Sequence, residues 1–148
     1  MSTNPLPTDP AALRAAFEAV IGRSPFTAWM GTSIEAIEPG QVTIRAPLRP
    51  EHRQHHGQAH GAVLAYMADT AVSWAAATVV GDVVTSEFKI NLLAPARGQA
   101  LSARGEVLRA GRRQAVVRAD VWAHDGERRE HVATCLATIA VLQAPVPA

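Results

Sequence analysis

The chain has 148 residues, enough for one domain with a full core, and 48% of them are hydrophobic. Fourteen basic residues against thirteen acidic ones give a formal charge of +1, which excludes the strong basic field that nucleic acid or an anionic membrane surface selects. The one cysteine, Cys135, excludes an internal disulfide and reads as an inert strand residue in a reducing compartment.

Residues 1–9 read as a tail. It lacks the basic and apolar regions of a signal peptide, so a cytoplasmic location is expected. Asp9 and Pro10 supply an N-cap and a first-turn proline for a helix, AALRAAFEAVI, that stops at Gly22. Ser24 to Met30 is a short apolar segment containing Phe26 and Trp29. A strand is expected near 32–37, a turn at Glu38-Pro39-Gly40, and a strand near 41–48 in which Val42, Ile44, Ala46 and Leu48 alternate. Residues 49–59 form a polar, histidine-rich loop. From Ala62 to Val80 only Asp69 is charged, and a helix apolar nearly all round is a buried one. Gly81-Asp82 ends it, and strands are expected near 83–93, 99–110, 113–123 and 129–142, the last two joined by an Asp125-Gly126 hairpin turn. Residues 143–148 form a second tail, which leaves one domain over 10–142. The expected class is α+β: an antiparallel sheet of about six strands curled around a long central helix, after a short N-terminal helix. One sheet must curl far, or a second subunit must help, to cover such a helix.

The run 62–80 is nearly long enough to cross a bilayer. Asp69 at its centre would cost roughly 2.5–3.5 kcal/mol on insertion scales, and the Ala, Ser and Thr residues around it offset little. It reads as a core helix, with no membrane as partner. A buried carboxylate is costly unless something specific compensates it, which makes Asp69 the residue to explain. His60, at the helix start, stands nine residues earlier. That is two and a half turns, on the opposite face and roughly 13.5 Å away along the axis. Both cannot serve one reacting atom from one chain, so if both are catalytic the site is assembled from two subunits.

Gln54, Gly57, His60, Gly61, Ala62 and Asp69 follow a recurring pattern: an amide, then G-x-x-H-G-G, then an acid nine residues after the histidine. With TSEFKINLLAP at 85–95 and the closing strands, the chain over about residues 24–142 resembles hotdog-fold acyl-CoA thioesterases of the phenylacetate-pathway and 4-hydroxybenzoyl-CoA type. It departs from the pattern at Ala62, the second glycine of the motif, where a good helix former suits the helix start. The resemblance implies hydrolysis of an acyl-CoA thioester, aromatic or medium-chain, to free acid and coenzyme A. It implies no metal or organic cofactor, and a homodimer, often paired into a tetramer, with two sites shared between subunits.

Within that expectation each residue has a physical role. The Gly61 N–H, in the first turn of a long helix, suits the developing oxyanion. Asp69 of the partner attacks the carbonyl or activates water as general base, and both routes stay open. Ser73, at i+4 from Asp69, shares its face and can hold the water or the carboxylate. Thr85 stands where other members place a water-binding hydroxyl, and Gln54 can offer its amide to the substrate carbonyl or position the water. His60 reads as a support whose ring bonds Gln54 or backbone carbonyls and fixes the helix start, in preference to the alternative catalytic role of direct proton transfer. Arg112 and Arg113 are candidates for coenzyme A phosphates, against a solvated hairpin end. Phe26, Trp29 and Met67 are candidates for the acyl pocket, while Tyr66 and Trp74 read mainly as packing. His52, His55, His56 and His60 invite a metal, but Gly57 breaks any helix through them, and only Glu51 is at hand to complete a ligand shell. The rival readings are a non-catalytic acyl-CoA binder and a hotdog hydratase or dehydratase, whose His–acid pair sits in a motif context this chain lacks.

Overall fold

The computed structural model describes residues 7–142; the expected tails fall largely outside the described residues, at 1–6 and 143–148. The elements in order are α1 (Pro10–Ile21), α2 (Pro25–Met30), β1 (Ser33–Glu38), β2 (Gln41–Pro47), a single 3-10 turn (Pro50–His52), α3 (Gly61–Val80), β3 (Val83–Leu92), β4 (Ala100–Ala110), β5 (Gln114–Asp125) and β6 (Arg128–Val141).

Asp9 caps α1 by accepting the Ala12 N–H at 2.9 Å, and α1 buries Leu13 and Phe17. The apolar segment 24–30 is itself a helix: Pro25 presets its first turn, and Gly31, at φ 69°, closes it in the left-handed region. The six strands form one antiparallel sheet in the order β1-β2-β4-β5-β6-β3. It wraps α3, which touches every strand from β2 to β6. Leu64, Met67, Ala68, Ala71, Val72 and Ala75 of the helix pack on Ile44, Leu101, Val117, Val121 and Ile139 of the sheet, all buried. Helix and sheet approach closely at Gly105, where a Cβ would lie 2.2 Å from the Ala71 carbonyl oxygen.

The sheet covers α3 on one side only. A stripe at Tyr66, Asp69, Ser73 and Ala77, at helical spacing, stays half-exposed, so the all-round burial expected from sequence is not reached within one chain. Asp69, expected to be buried, is therefore only partly so.

The two sheet edges differ. On β1, the Arg14 guanidinium of α1 donates to the carbonyls of Ile34 at 2.7 Å and Glu35 at 3.0 Å. On β3, Val84 and Leu92 are exposed, and a bulge between Thr85 and Glu87 inserts Ser86 as an extra residue. The bulge reverses the strand's phase: Thr85 faces inward before it, and Phe88 and Ile90 face inward after it.

Candidate active site

Asp69 and Ser73 are one helical turn apart on the uncovered stripe of α3, and the β3 bulge turns Thr85 toward both. The Thr85 hydroxyl donates to Asp69 Oδ1 at 2.7 Å, and Ser73 Oγ lies 2.9 Å from Thr85 Oγ1. A hydroxyl carries one proton and an ionised carboxylate donates none. Thr85 therefore spends its proton on Asp69, and Ser73 is the donor in the second bond. The chain of bonds runs Ser73 to Thr85 to Asp69, leaving Asp69 Oδ2 and a Ser73 lone pair without a partner among the described residues. Burial first, and the Asp69 charge second, push the nearby Cys135 thiol up to about 11.

A second group of residues surrounds the start of α3. Arg53 ties the preceding loop together by donating to the carbonyls of Gly57 at 2.8 Å and Gly98 at 2.7 Å. Gln54 Oε1 accepts the His56 N–H, which leaves its amide NH2 to point elsewhere. His60 is the N-cap of α3. Its Nδ1 accepts the Ala62 N–H at 3.1 Å and its carbonyl accepts the Val63 N–H at 2.9 Å. The ring thus holds the helix start through an N–H, and not through Gln54 or a carbonyl as the sequence suggested. These bonds consume the next two N–H groups, and that of Gly61 has no acceptor among the described residues. Nothing in this chain requires glycine there: its φ is not left-handed, and an added Cβ would meet only Leu92 Cδ1, at 3.4 Å. Gly61 sits in the wall of a groove of about 370 Å³ with Gln54, Gln58, Leu64, Leu92 and Pro95.

The expected site residues thus fall into two sets at the two ends of β3. Asp69, Ser73 and Thr85 meet at its first residues, while Gln54, His60 and Gly61 gather near Leu92, and Asp69 does not line the groove. Arg112 and Arg113 are exposed at the tip of the β4–β5 hairpin, away from the groove and at the Thr85 end, since Gln114 pairs with Ala140 and Ala140 with Val84. Met67 is wholly buried in the core and cannot line an open pocket. Phe26 and Trp29 are 59% and 52% exposed and cluster with Tyr66, whose hydroxyl is 2.7 Å from Thr32 Oγ1. The histidines diverge: His52 is buried against Trp29, His55 and His56 lie side by side in the exposed loop, and His60 caps α3.

Sequence reasoning missed Gln58 and Leu93 as groove residues, although Leu93 belongs to the 85–95 stretch and Gln58 to the polar loop. It also missed a Ser102–His124 contact of 2.7 Å on the face of the sheet away from α3. Burial and then the Arg45 charge lower the His124 pKa. Ser102 is itself buried and no carboxylate bonds the ring among the described residues, so the pair packs the outer sheet and is no hydrolytic dyad.

Comparison with known proteins agrees with this fold. Residues 56–130 match the model of the thioesterase superfamily. A thioesterase family protein from Silicibacter pomeroyi is 31% identical and superposes with a TM-score of 0.83, over 86% of this chain and 96% of that one. The phenylacetic acid degradation protein PaaI of Thermus thermophilus is 27% identical with a TM-score of 0.72, over 80% of this chain and all of that one. A Saccharolobus solfataricus protein provisionally named an esterase is 32% identical over 93 residues, which are 62% of this chain and 66% of the relative, just short of two thirds of its length. Together these support thioester hydrolysis in general, and the fold is that of hotdog thioesterases. The chain belongs to the thioesterase superfamily.

Proposed function

We propose that the protein hydrolyses acyl-CoA thioesters to a free acid and coenzyme A, at two sites shared across a homodimer. The observation that carries this reading is the division of the catalytic groups between the two ends of one open edge strand. If β3 pairs antiparallel with β3 of a second copy about a two-fold axis, the Thr85 end of each strand lies beside the Leu92 end of the other. Asp69, Ser73 and Thr85 of one subunit then face Gln54 and Gly61 of its partner, and the second copy covers the open stripe of α3.

In such a site the Gly61 N–H takes the thioester carbonyl oxygen, with the helix dipole behind it, and the Gln54 amide bonds the same oxygen or the water. The hydroxyl chain favours general-base catalysis over direct attack. Asp69 Oδ2 and the Ser73 lone pair are both acceptors, so a water between them gives a proton to each and turns its own lone pair outward. Water oxygen bonds to the carbonyl carbon as its proton passes to Asp69, and the oxyanion rests on the Gly61 N–H. Collapse breaks the C–S bond, and Asp69 returns its proton to the leaving thiolate.

Release of free thiol from a panel of acyl-CoAs tests the activity, and mixed dimers test the shared site. Asp69→Ala chains and Gln54→Ala chains, inactive alone, are unfolded and refolded together. Recovery of part of the activity is expected, because one site of each heterodimer carries both lesions and the other neither. Mixed dimers that form but stay inactive overturn the shared arrangement.

A further inference from the structure

We propose that the nucleotide end of coenzyme A, with its phosphates, binds a second groove built around Arg97 and Arg128, and not the Arg112-Arg113 hairpin tip; this rests on the acyl-CoA reading above. The groove is of about 370 Å³ and is lined by Pro95, Arg97, Ala123, Asp125, Arg128 and Glu130. Pro95 is also a wall of the groove that holds Gly61, so the two are neighbours along one stretch of chain.

That stretch is held firmly. Leu93 N–H donates to the Val132 carbonyl at 2.8 Å, Ala59 N–H donates to the Ala96 carbonyl at 2.8 Å, and Arg53 grips the Gly98 carbonyl. A ligand whose carbonyl sits at Gly61 is therefore led past Leu92, Leu93 and Pro95 toward Arg97. The span can be judged from β6. Ala133 pairs with Leu92, and Arg128 precedes it on the same strand by five residues, one of them the bulge at Val132. The span therefore equals the four steps from Val121 to Asp125 on β5, about 14 Å at the rise of an antiparallel strand. That suits an extended pantetheine arm between thioester and diphosphate. Within one chain Arg112 and Arg113 lie at the other end of the sheet, beyond Val84, so the proposed dimer brings only the partner's copies to the Leu92 end, and they line neither groove.

The charges in the groove are unevenly committed. Arg97 is exposed and has no carboxylate within ion-pairing distance among the described residues. Arg128 holds Glu130 only at 3.4 Å, with its own side chain 75% exposed. Asp125 accepts from Gln99 Nε2 at 2.8 Å, and Gln99 Oε1 accepts the Gly126 N–H at 3.0 Å, which braces the hairpin floor. Two guanidinium groups are thus available to phosphate oxygens, which they bond in forked geometry. The acids offer acceptors to ribose hydroxyls and the adenine amino group.

The test compares an acyl-CoA with the matching acyl-pantetheine, which lacks the nucleotide. Arg97→Ala is expected to raise KM for the acyl-CoA roughly tenfold, the size of one lost charge-assisted hydrogen bond, with kcat retained and acyl-pantetheine kinetics unchanged. Arg97→Lys restores part of the loss, Arg128→Ala acts in the same direction, and inorganic phosphate competes weakly with the acyl-CoA alone. An equal loss on both substrates, or no loss on either, overturns the proposal. So does a nucleotide-specific loss from Arg112→Ala or Arg113→Ala that Arg97→Ala does not share. Should the wild type cleave neither thioester, the acyl-CoA hydrolase reading fails by itself. Calorimetric titration of coenzyme A into wild type and Arg97→Ala still decides the groove, since unweakened binding by the variant overturns it.

Discussion

At the Thr85 end of β3 the polar groups are side chains fixed to one another, Ser73 to Thr85 to Asp69. At the Leu92 end the fixed donor is the Gly61 N–H, which the cap of the helix start leaves without an acceptor among the described residues, with the Gln54 amide in the same groove. One end presents acceptors held by side chains, the other a donor held by backbone. The difference suits a hydrolase. A base must change its protonation during the reaction, which side-chain chemistry permits, whereas an oxyanion hole works best when its donor is fixed and cannot titrate.

Substitutions at four positions break or sharpen that contrast, and the largest effect is expected at the acceptor end. Asp69→Ala should lower kcat by roughly 10²–10⁴ while acyl-CoA binding and melting temperature are retained; near-wild-type turnover would remove Asp69 from the mechanism. At the donor end the backbone permits an unusual deletion. Gly61 is the first residue of α3 and His60 is extended, at φ −63° and ψ 140°, so proline fits there without disturbing the helix. Gly61→Pro removes the N–H and should cost roughly 10²–10³ in kcat. Gly61→Ala keeps the N–H and should stay far closer to wild type, so equal losses in the two would point to crowding instead.

Smaller effects separate support from chemistry. Thr85→Val deletes the bond to Asp69 at nearly constant volume and should reduce kcat roughly tenfold with KM little changed. Thr85→Ser should restore most of it, and failure of that rescue would argue for packing over the hydroxyl. The smallest change is at the cap. His60→Ala should cost about 1 kcal/mol of stability, seen as a lowered melting temperature, and leave most of the turnover. Collapse of kcat without loss of stability would instead make His60 a proton carrier.

Most of the architecture was legible because it follows local rules. Asp9-Pro10, Gly81 and Asp125-Gly126 punctuate the chain where the elements begin and end, and the uniform apolarity of 62–80 marks the core helix. The candidate site was legible as residues but not as contacts. Thr85 lies sixteen residues from Asp69, and only the bulge at Ser86 turns it inward. A one-residue phase change leaves no mark in a strand whose alternation is already mixed. The 24–30 segment shows in sequence as apolar but not as helix, because six residues carry too little periodicity. The sequence marks His60 at the helix start but not the Ala62 N–H as its partner, since which ring nitrogen meets which backbone atom depends on the local turn. Arg112-Arg113 drew attention as adjacent charges, while Arg97 and Arg128, distant in sequence, share a groove only in the fold.

Arg14 has a consequence for how far such a protein can associate. A sheet that adds a partner strand along β3 could in principle continue from its far side and grow into a fibre. The far side is β1, six residues long, interrupted by a bulge between Ile34 and Ala36, with two outward carbonyls already engaged by a guanidinium from α1. A third chain would have to displace that arginine and the helix that carries it before it could dock. In the proposed dimer, self-association through β3 would therefore end at two copies, and the bond that plugs the other rim would keep a protein with an open edge strand from becoming a template for its own aggregation.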